Sequence, residues 1–316
     1  MINRILLRRK VVQVIFAFYQ NEKKSERAVE SELFVSIEQT YQLYHLLFLL
    51  ATAVNDYANA RIEKAKRKLR PTPEEANPNM RFVKNAFVQQ LASNTQLKKY
   101  AEANALSWAE HPEIIKLVYE NLLQSDFYAE YMTAPETSYK EDKNIWIKIF
   151  KKLILPDTEI EATLEDIKLY WNDDIDVVIS FVLKTIKQFE KENAAEQALL
   201  PLFKDEEDRE FARELLLETL RNEKIYRKLL DEHTKNWELD RIAFMDIVIM
   251  QTALAELHNF PAIPVNVTLN EYIEIAKEYS TEKSGTFING VLDNIVEKLR
   301  KEQKITKIAH YTPVKN

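Results

Sequence analysis

Glycine occurs only twice in the 316 residues, at Gly285 and Gly290. A sheet-rich fold needs many tight turns, and these depend on glycine because it adopts positive φ at no steric cost. The scarcity of glycine therefore predicts helices throughout and an all-α fold. It also counts against Rossmann and P-loop folds, in which several glycines bring the backbone close to a bound phosphate.

Apolar residues recur at helical spacing along most of the chain. The first stripe, with spacings of four, three and four, consists of Leu7, Val11, Val14 and Phe18. The spacing predicts further long helical segments over residues 27–69, 80–105, 111–132, 143–154 and 163–192. Between the last two, Pro156 is expected to stop one helix and Asp157 to cap the next. The chain is therefore expected to be helical from end to end, apart from short separators.

Composition narrows the class of protein further. The absence of cysteine excludes disulfides, thiolate nucleophiles and cysteine-ligated zinc, and fits a cytoplasmic protein. No apolar run suits a signal peptide, and the stretch 44–54 is too short to span a bilayer. The five histidines show no metal-ligand spacing, and no nucleophile motif appears. We therefore expect a non-enzymatic protein without metal, cofactor, small-molecule substrate or membrane association.

Two local concentrations of positive charge stand out in a chain whose net charge is −6. The first ten residues hold no acid but four cations, Arg4, Arg8, Arg9 and Lys10. Because the macrodipole disfavours cations at a helix N-terminus, they indicate either a solvated helix start or contact with an RNA backbone. The segment 61–70 holds six cations against Glu63. It indicates either a solvated helix face or an auxiliary RNA patch.

The C-terminal third is expected to form three helices. The first ends before Pro261, which cannot continue a helix. Thr268 and Glu271 have capping-box spacing and are expected to begin the second helix. Ser280 or Thr281 is expected to cap the third.

The third of these helices carries candidate functional residues near its start. Phe287 lies on an apolar stripe with Val291, which favours a core position, but an aromatic ring at a helix start can also stack on an unpaired base. Asn289 is its polar neighbour. Gly290 destabilises a helix by roughly 1 kcal/mol relative to alanine, so some contact must require the missing side chain. Close packing of two helices is one such contact.

Several blocks of sequence resemble the NusB family in their usual order and spacing. The blocks are LDRIAFMD (239–246), IPVNVTLNEYIEIAKEYS (263–280) and TFINGVLDNI (286–295), preceded by RILLRRKVVQVIF (4–16) and FARELLLETL (211–220). The resemblance implies a NusB-like helical bundle formed by residues 1–20 and 205–303. Residues 21–204 are then an expanded helical region of unknown role, and 304–316 a flexible tail.

The resemblance also implies a function. NusB proteins are transcription antitermination factors that bind boxA RNA, a single-stranded element in the leader of ribosomal RNA transcripts. They do so with NusE, a small-subunit ribosomal protein, and tether the RNA to the transcription elongation complex. The expected RNA-binding residues are Arg4, Arg8, Arg9, Lys10, Lys283, Phe287 and Asn289. Asp246 is expected near the surface for NusE, and Asp240 with Arg241 to form a local ion pair. The alternative is a helical protein–protein scaffold without RNA binding.

Overall fold

The computed structural model describes residues 3–21, 25–171, 173–234, 242–303 and 305. These residues form helices and loops without a strand, which confirms the all-α prediction. Apart from residue 305, the predicted flexible tail lies outside the described residues. In chain order the α-helices are α1 (Arg4–Gln20), α2 (Glu26–Lys66), α3 (Pro73–Ala76), α4 (Ala86–Ser93), α5 (Thr95–Ala103), α6 (Pro112–Leu123), α7 (Asp126–Thr133), α8 (Tyr139–Ile149), α9 (Thr158–Ile167), α10 (Ile175–Gln188), α11 (Glu206–Arg221), α12 (Glu223–His233), α13 (Phe244–Asn259), α14 (Val265–Tyr279) and α15 (Ser284–Lys301).

The chain divides into two compact units. The middle unit consists of Glu38–Leu202, and the terminal unit consists of Ile2–Ile37 together with Phe203–Asn316. Helix α2 contributes residues to both, because its first part, up to Ile37, belongs to the terminal unit. That residues 21–204 expand a core made of 1–20 and 205–303 stays a prediction.

The middle unit is held by aromatic packing and by buried polar contacts. The rings of Phe82 and Trp146 lie 5.6 Å apart in its core, and Trp146 is fully buried. The carboxylate of buried Asp142 accepts a hydrogen bond of 2.6 Å from the hydroxyl of Tyr131. Helix α8 continues directly into a π-helical turn over Phe150–Ile154. The packing of α8 thus anchors this unit.

Helix boundaries in the middle unit differ in part from those that the sequence predicts. The segment 80–105 holds two helices, because the side chain of Asn94 caps the start of α5 immediately after α4 ends. The segment 111–132 is likewise divided, because the extended backbone of Ser125 separates α6 from α7. The prediction that Asp157 caps the next helix is confirmed. Its carboxylate accepts hydrogen bonds from two backbone N–H groups at the start of α9. Single polar residues therefore divide segments whose apolar pattern looks continuous, Asn94 by capping a helix and Ser125 by its extended backbone.

Helix α13 is the central element of the terminal unit. All of its residues from Asp246 to Leu257 are buried, and it packs against α1, α11, α12, α14 and α15. A helix that is buried on every face belongs to the core rather than to the surface. Its end at Asn259, before Pro261, confirms the prediction.

The predicted capping box of α14 is wrong. The helix begins at Val265, directly after Pro264, so Thr268 lies one turn inside it. The Thr268 hydroxyl donates a hydrogen bond of 2.8 Å to Glu256 on α13 instead of capping its own helix. The hydroxyl that the local spacing assigns to a helix cap is therefore bonded to a residue of another helix.

The predicted cap of α15 is wrong as well. The helix begins at Ser284, and its N-cap is Lys283, with no side chain bonded to the free N–H groups. The Ser284 hydroxyl accepts a bond from the Thr281 backbone N–H at 3.2 Å and lies 3.1 Å from the Ser280 hydroxyl. Ser280 and Thr281 thus form hydrogen bonds with Ser284 that hold the loop before α15, and neither caps the helix.

A buried ion pair joins three helices of the terminal unit. Nε and one terminal nitrogen of Arg8 on α1 donate to the two carboxylate oxygens of Glu256 on α13, at 2.7 and 2.9 Å. Thr268 and Tyr272 of α14 donate to the same carboxylate, at 2.8 and 3.2 Å. Burial lowers the pKa of Arg8, but the hydrogen bonds and negative charge of Glu256 outweigh it, so the pKa lies above its ordinary value.

No helix in the described part of the chain is both long and apolar enough to cross a membrane.

Replacing Arg8 with alanine is expected to destabilise the terminal unit by about 3–5 kcal/mol, because it leaves a fully buried carboxylate without its counter-charge. The measurement is urea unfolding of the full chain followed by circular dichroism. Arg213→Ala is the matched control, because Arg213 makes ion pairs in the same unit but its side chain is 41% exposed. That control should change stability by under about 1 kcal/mol. Equal effects of the two substitutions would contradict the structural role of Arg8.

Candidate nucleic-acid interface

The basic residues of α1 are bound to acids of the terminal unit or are buried in it. Arg4 donates to Asp208 at 2.8 Å, and 37% of its side chain stays exposed. Arg8 is bound to Glu256, and Arg9 pairs with Glu278 at 2.5 Å. Lys10 is only 1% exposed. Internal carboxylates therefore offset the cations that the helix macrodipole disfavours, and Arg4 is the most accessible of the four.

A cleft lies between the start of α13 and the start of α15. Its volume is about 350 Å³. It is lined by Ile242, Ala243, Asp246, Thr281, Lys283, Ser284 and Phe287. Three residues singled out from the sequence, Asp246, Lys283 and Phe287, therefore meet at one place. Asn289 lies on α15 and is half-buried, but it does not line the cleft.

Asp246 forms the polar part of this cleft. It lies in the first turn of α13 and is only 4% exposed. One carboxylate oxygen accepts a hydrogen bond of 2.9 Å from the hydroxyl of Ser284, while Oδ1 has no hydrogen-bond partner among the described residues. A buried carboxylate oxygen without a donor is costly. It can therefore accept a hydrogen bond from a group that enters the cleft.

The exposed face of α15 at the cleft combines a cation, an aromatic ring and open space. Lys283 is exposed and Phe287 is half-buried. Gly290, one turn further, is exposed, and a Cβ atom added there would meet nothing within 4 Å. The interpretation of Gly290 as a close helix–helix contact is therefore wrong. Gly285 is the glycine that serves packing, because an added Cβ there would lie 3.2 Å from the side chain of Lys277.

The start of α15 also carries backbone charge. The N-cap Lys283 makes no side-chain cap bond, and the Ser284 N–H donates to the Thr281 carbonyl. Among the described residues, the unused N–H groups of the first turn are therefore those of Gly285 and Thr286. The macrodipole adds a partial positive charge at the same end. Uncapped N–H groups beside Lys283 suit an anion such as a phosphate group. The half-buried ring of Phe287 lies on the next turn and suits a base.

One face of α1 flanks the same region. Gln13 donates a hydrogen bond of 3.1 Å to the hydroxyl of Tyr279, at the end of α14. The ring of Phe16 lies 5.5 Å from that of Phe244, at the start of α13. Helix α1 thus contacts the start of α13, which borders the cleft, and the end of α14, which lies just before Thr281 of the cleft lining.

Sequence reasoning missed Ser284, which ties the starts of α13 and α15 together through Asp246. It also missed Glu256, an acid on the apolar stripe that contains Ala253. An acid on a buried stripe needs a partner, and this was the available signal. Asp240 and Arg241, the predicted local ion pair, lie outside the described residues.

Within the residues that the structure describes, no group of three or more metal-ligating side chains comes together. The geometry of the cleft is that of a binding surface, with a cation, an aromatic ring and one buried acceptor.

The cleft lies in a part of the chain that matches a known protein family. The model of the NusB family matches residues 176–297, which include the cleft and begin within α10. The transcription antitermination protein NusB of Salinibacter ruber is 40% identical over 132 residues, which cover 40% of this chain and 82% of the relative. No solved structure matches the chain.

Two further relatives carry the same name. The transcription antitermination protein NusB of Geotalea daltonii is 44% identical over 89 residues, which cover 28% of this chain and 61% of that protein. The protein of that name from Bacillus thuringiensis is 40% identical over 94 residues, which cover 30% of this chain and 72% of the relative.

Phe287→Ala is expected to lower the melting temperature much less than Ile288→Ala does. Ile288 is fully buried on the same helix, and its truncation should destabilise the unit by about 2–5 kcal/mol. Phe287 lies at the open edge of the cleft, so its removal leaves no enclosed cavity. Differential scanning calorimetry of the two variants is the measurement. A larger loss for Phe287→Ala would make it a core residue and remove it from the surface.

Proposed function

This chain belongs to the NusB family, and from that premise we propose that it is a cytoplasmic transcription antitermination factor that binds boxA-type single-stranded RNA together with NusE. One observation supports this most: an exposed lysine, a half-buried aromatic ring and an uncapped helix N-terminus adjoin one cleft within the family-matched residues. Proteins hold single-stranded RNA by phosphate contacts and by stacking on aromatic rings, and these groups supply both.

The proposal gives the candidate residues different roles. Lys283 and the N–H groups at the start of α15 contact phosphate, and Phe287 stacks on a base, with Asn289 beside it. Arg4 offers a further phosphate contact, because its side chain is partly exposed. Arg8, Arg9 and Lys10 hold α1 in place and act on RNA through its position. This assignment follows their burial and the acidic partners of the two arginines.

Asp246 is assigned to NusE. Because Oδ1 is buried and has no donor among the described residues, it can accept a hydrogen bond from a donor that a partner places in the cleft. NusE and RNA would then bind to one surface, and each would stabilise the conformation of that surface to which the other binds. The transcription elongation complex would receive the RNA through NusE.

RNA binding is tested by fluorescence anisotropy with a short boxA-type RNA, with and without NusE. Lys283→Ala is expected to weaken binding and to reduce the slope of log affinity against log salt by about 0.7, the value for one lost phosphate contact. Phe287→Ala should reduce RNA affinity by about 1–3 kcal/mol, the usual value for one stacked base.

The matched control is Lys301→Ala, which removes an exposed lysine from the other end of α15. It should leave affinity and salt slope unchanged. If wild-type protein ignores the RNA both alone and with NusE, the proposal fails, and a protein–protein scaffold becomes the better interpretation. If Lys283→Ala and Lys301→Ala behave alike, RNA binding lies elsewhere.

A further inference from the structure

The C-terminal end of α2, in the middle unit, carries a dense cluster of positive charge. We define the basic end of α2 as Arg61, Lys64 and Lys66 of the helix together with Arg67, Lys68 and Arg70, which directly follow it. Three of these cations have acidic neighbours: Lys66 pairs with Glu63 at 2.8 Å, Lys68 pairs with Glu75, and Arg61 lies 3.9 Å from Glu120.

The other three cations make no direct ion pair among the described residues, although the charge of Arg67 interacts with that of Glu63. Lys64, Arg67 and Arg70 are exposed, and none has an ion pair or a side-chain hydrogen bond within the described ranges. Lys64 lies in the last turn of α2 and Arg67 directly follows the helix, so these two like charges are close along the chain and repel. Leu69, between Arg67 and Arg70, is fully exposed.

The helix macrodipole does not account for so many cations. A cation in the last turn contributes about 0.3–1 kcal/mol, and the effect is confined to that turn. Lys64 and Lys66 already occupy the last turn, while Arg67, Lys68 and Arg70 lie beyond the end of the helix at Lys66. The cluster also stands out against a net charge of −6 for the whole chain. Its self-repulsion is relieved when a polyanion binds and releases its counterions.

We propose that the basic end of α2 is a second RNA contact, which binds the single-stranded flank of an RNA held by the terminal unit and does not depend on sequence. The choice of RNA as the polyanion rests on the proposed function. Arg67 and Arg70 carry planar guanidinium groups that bind phosphate with two parallel hydrogen bonds, and Lys64 adds a compact charge. A single-stranded backbone is flexible enough to follow such a row of cations.

A flank bound at this second contact raises overall affinity, because the two contacts belong to one RNA and the second is then intramolecular. Flanked RNA should therefore bind more tightly than short RNA. The affinity for the short RNA should not depend on the residues at the basic end of α2. This difference separates the second contact from the cleft.

The test uses the full chain and two RNAs, a short boxA-type RNA and the same RNA extended by roughly 30 unpaired uridines, which is longer than a typical single-stranded binding site. Lys64→Glu, Arg67→Glu and Arg70→Glu are combined in one variant. It should bind the flanked RNA at least about tenfold more weakly than wild type, with a salt slope reduced by about 2, because each lost phosphate contact contributes about 0.7. Its affinity for the short RNA should change by less than about twofold, because the proposal assigns only the flank to this contact.

The matched control reverses three exposed lysines of the same unit, Lys98→Glu, Lys99→Glu and Lys184→Glu, which changes net charge equally. It should keep the advantage of the flanked RNA. A glutamine version of the first variant checks that loss of charge, rather than introduced repulsion, causes the effect. Circular dichroism confirms that all variants are folded.

Each outcome bears on one proposal. If wild type gains nothing from the flank, or if the variant keeps the gain, the second contact is refuted. If wild type binds flanked but not short RNA, and the variant abolishes that binding, the second contact stands while the boxA proposal fails. If the variant instead loses binding to vesicles containing phosphatidylserine, with RNA binding unaltered, the cluster serves a membrane surface and the RNA contact is refuted.

Discussion

The buried pair of Arg8 and Glu256 is the contact on which the terminal unit depends. It connects α1, at the beginning of the chain, to α13, which lies 248 residues later, and the same carboxylate holds Thr268 and Tyr272 of α14. A carboxylate at this depth is tolerated only with a full set of donors. The network thereby fixes the register of α1 against α13 and α14, and with it the start of α13, which borders the cleft.

The position of the cleft follows from that register. Gln13 and Phe16 of α1 contact the end of α14 and the start of α13, so α1 acts as a brace for the surface. Asp246 and Ser284 then connect the starts of α13 and α15 by a buried hydrogen bond. The groups left over are those suited to binding: an exposed lysine, a half-buried ring and one carboxylate oxygen that has no donor among the described residues. The atoms that hold the helices together and the atoms available to a ligand thus belong to neighbouring residues but are not the same atoms.

Much of the fold, but less of the site, could be predicted from the sequence. The scarcity of glycine and the helical spacing of apolar residues predict an all-α chain, and ordered blocks identify the NusB family. Local patterns fail where a tertiary partner competes: Thr268 has capping-box spacing, yet its hydroxyl serves Glu256. Nor can charge alone tell whether a cation faces water. Arg8 and Lys64 both carry a positive charge, but only Arg8 has a buried acid opposite it, far away in sequence.

Hydrogen exchange of the full chain, read by mass spectrometry with and without a short boxA-type RNA and NusE, tests the central claim most directly. Binding at the cleft should slow exchange at the starts of α13 and α15, because ligand contact suppresses local opening there. The middle unit should keep its free-state exchange, since the short RNA has no flank to reach the basic end of α2. Protection confined to the middle unit, or absent from residues 281–290, would contradict the assignment of RNA and NusE to the cleft.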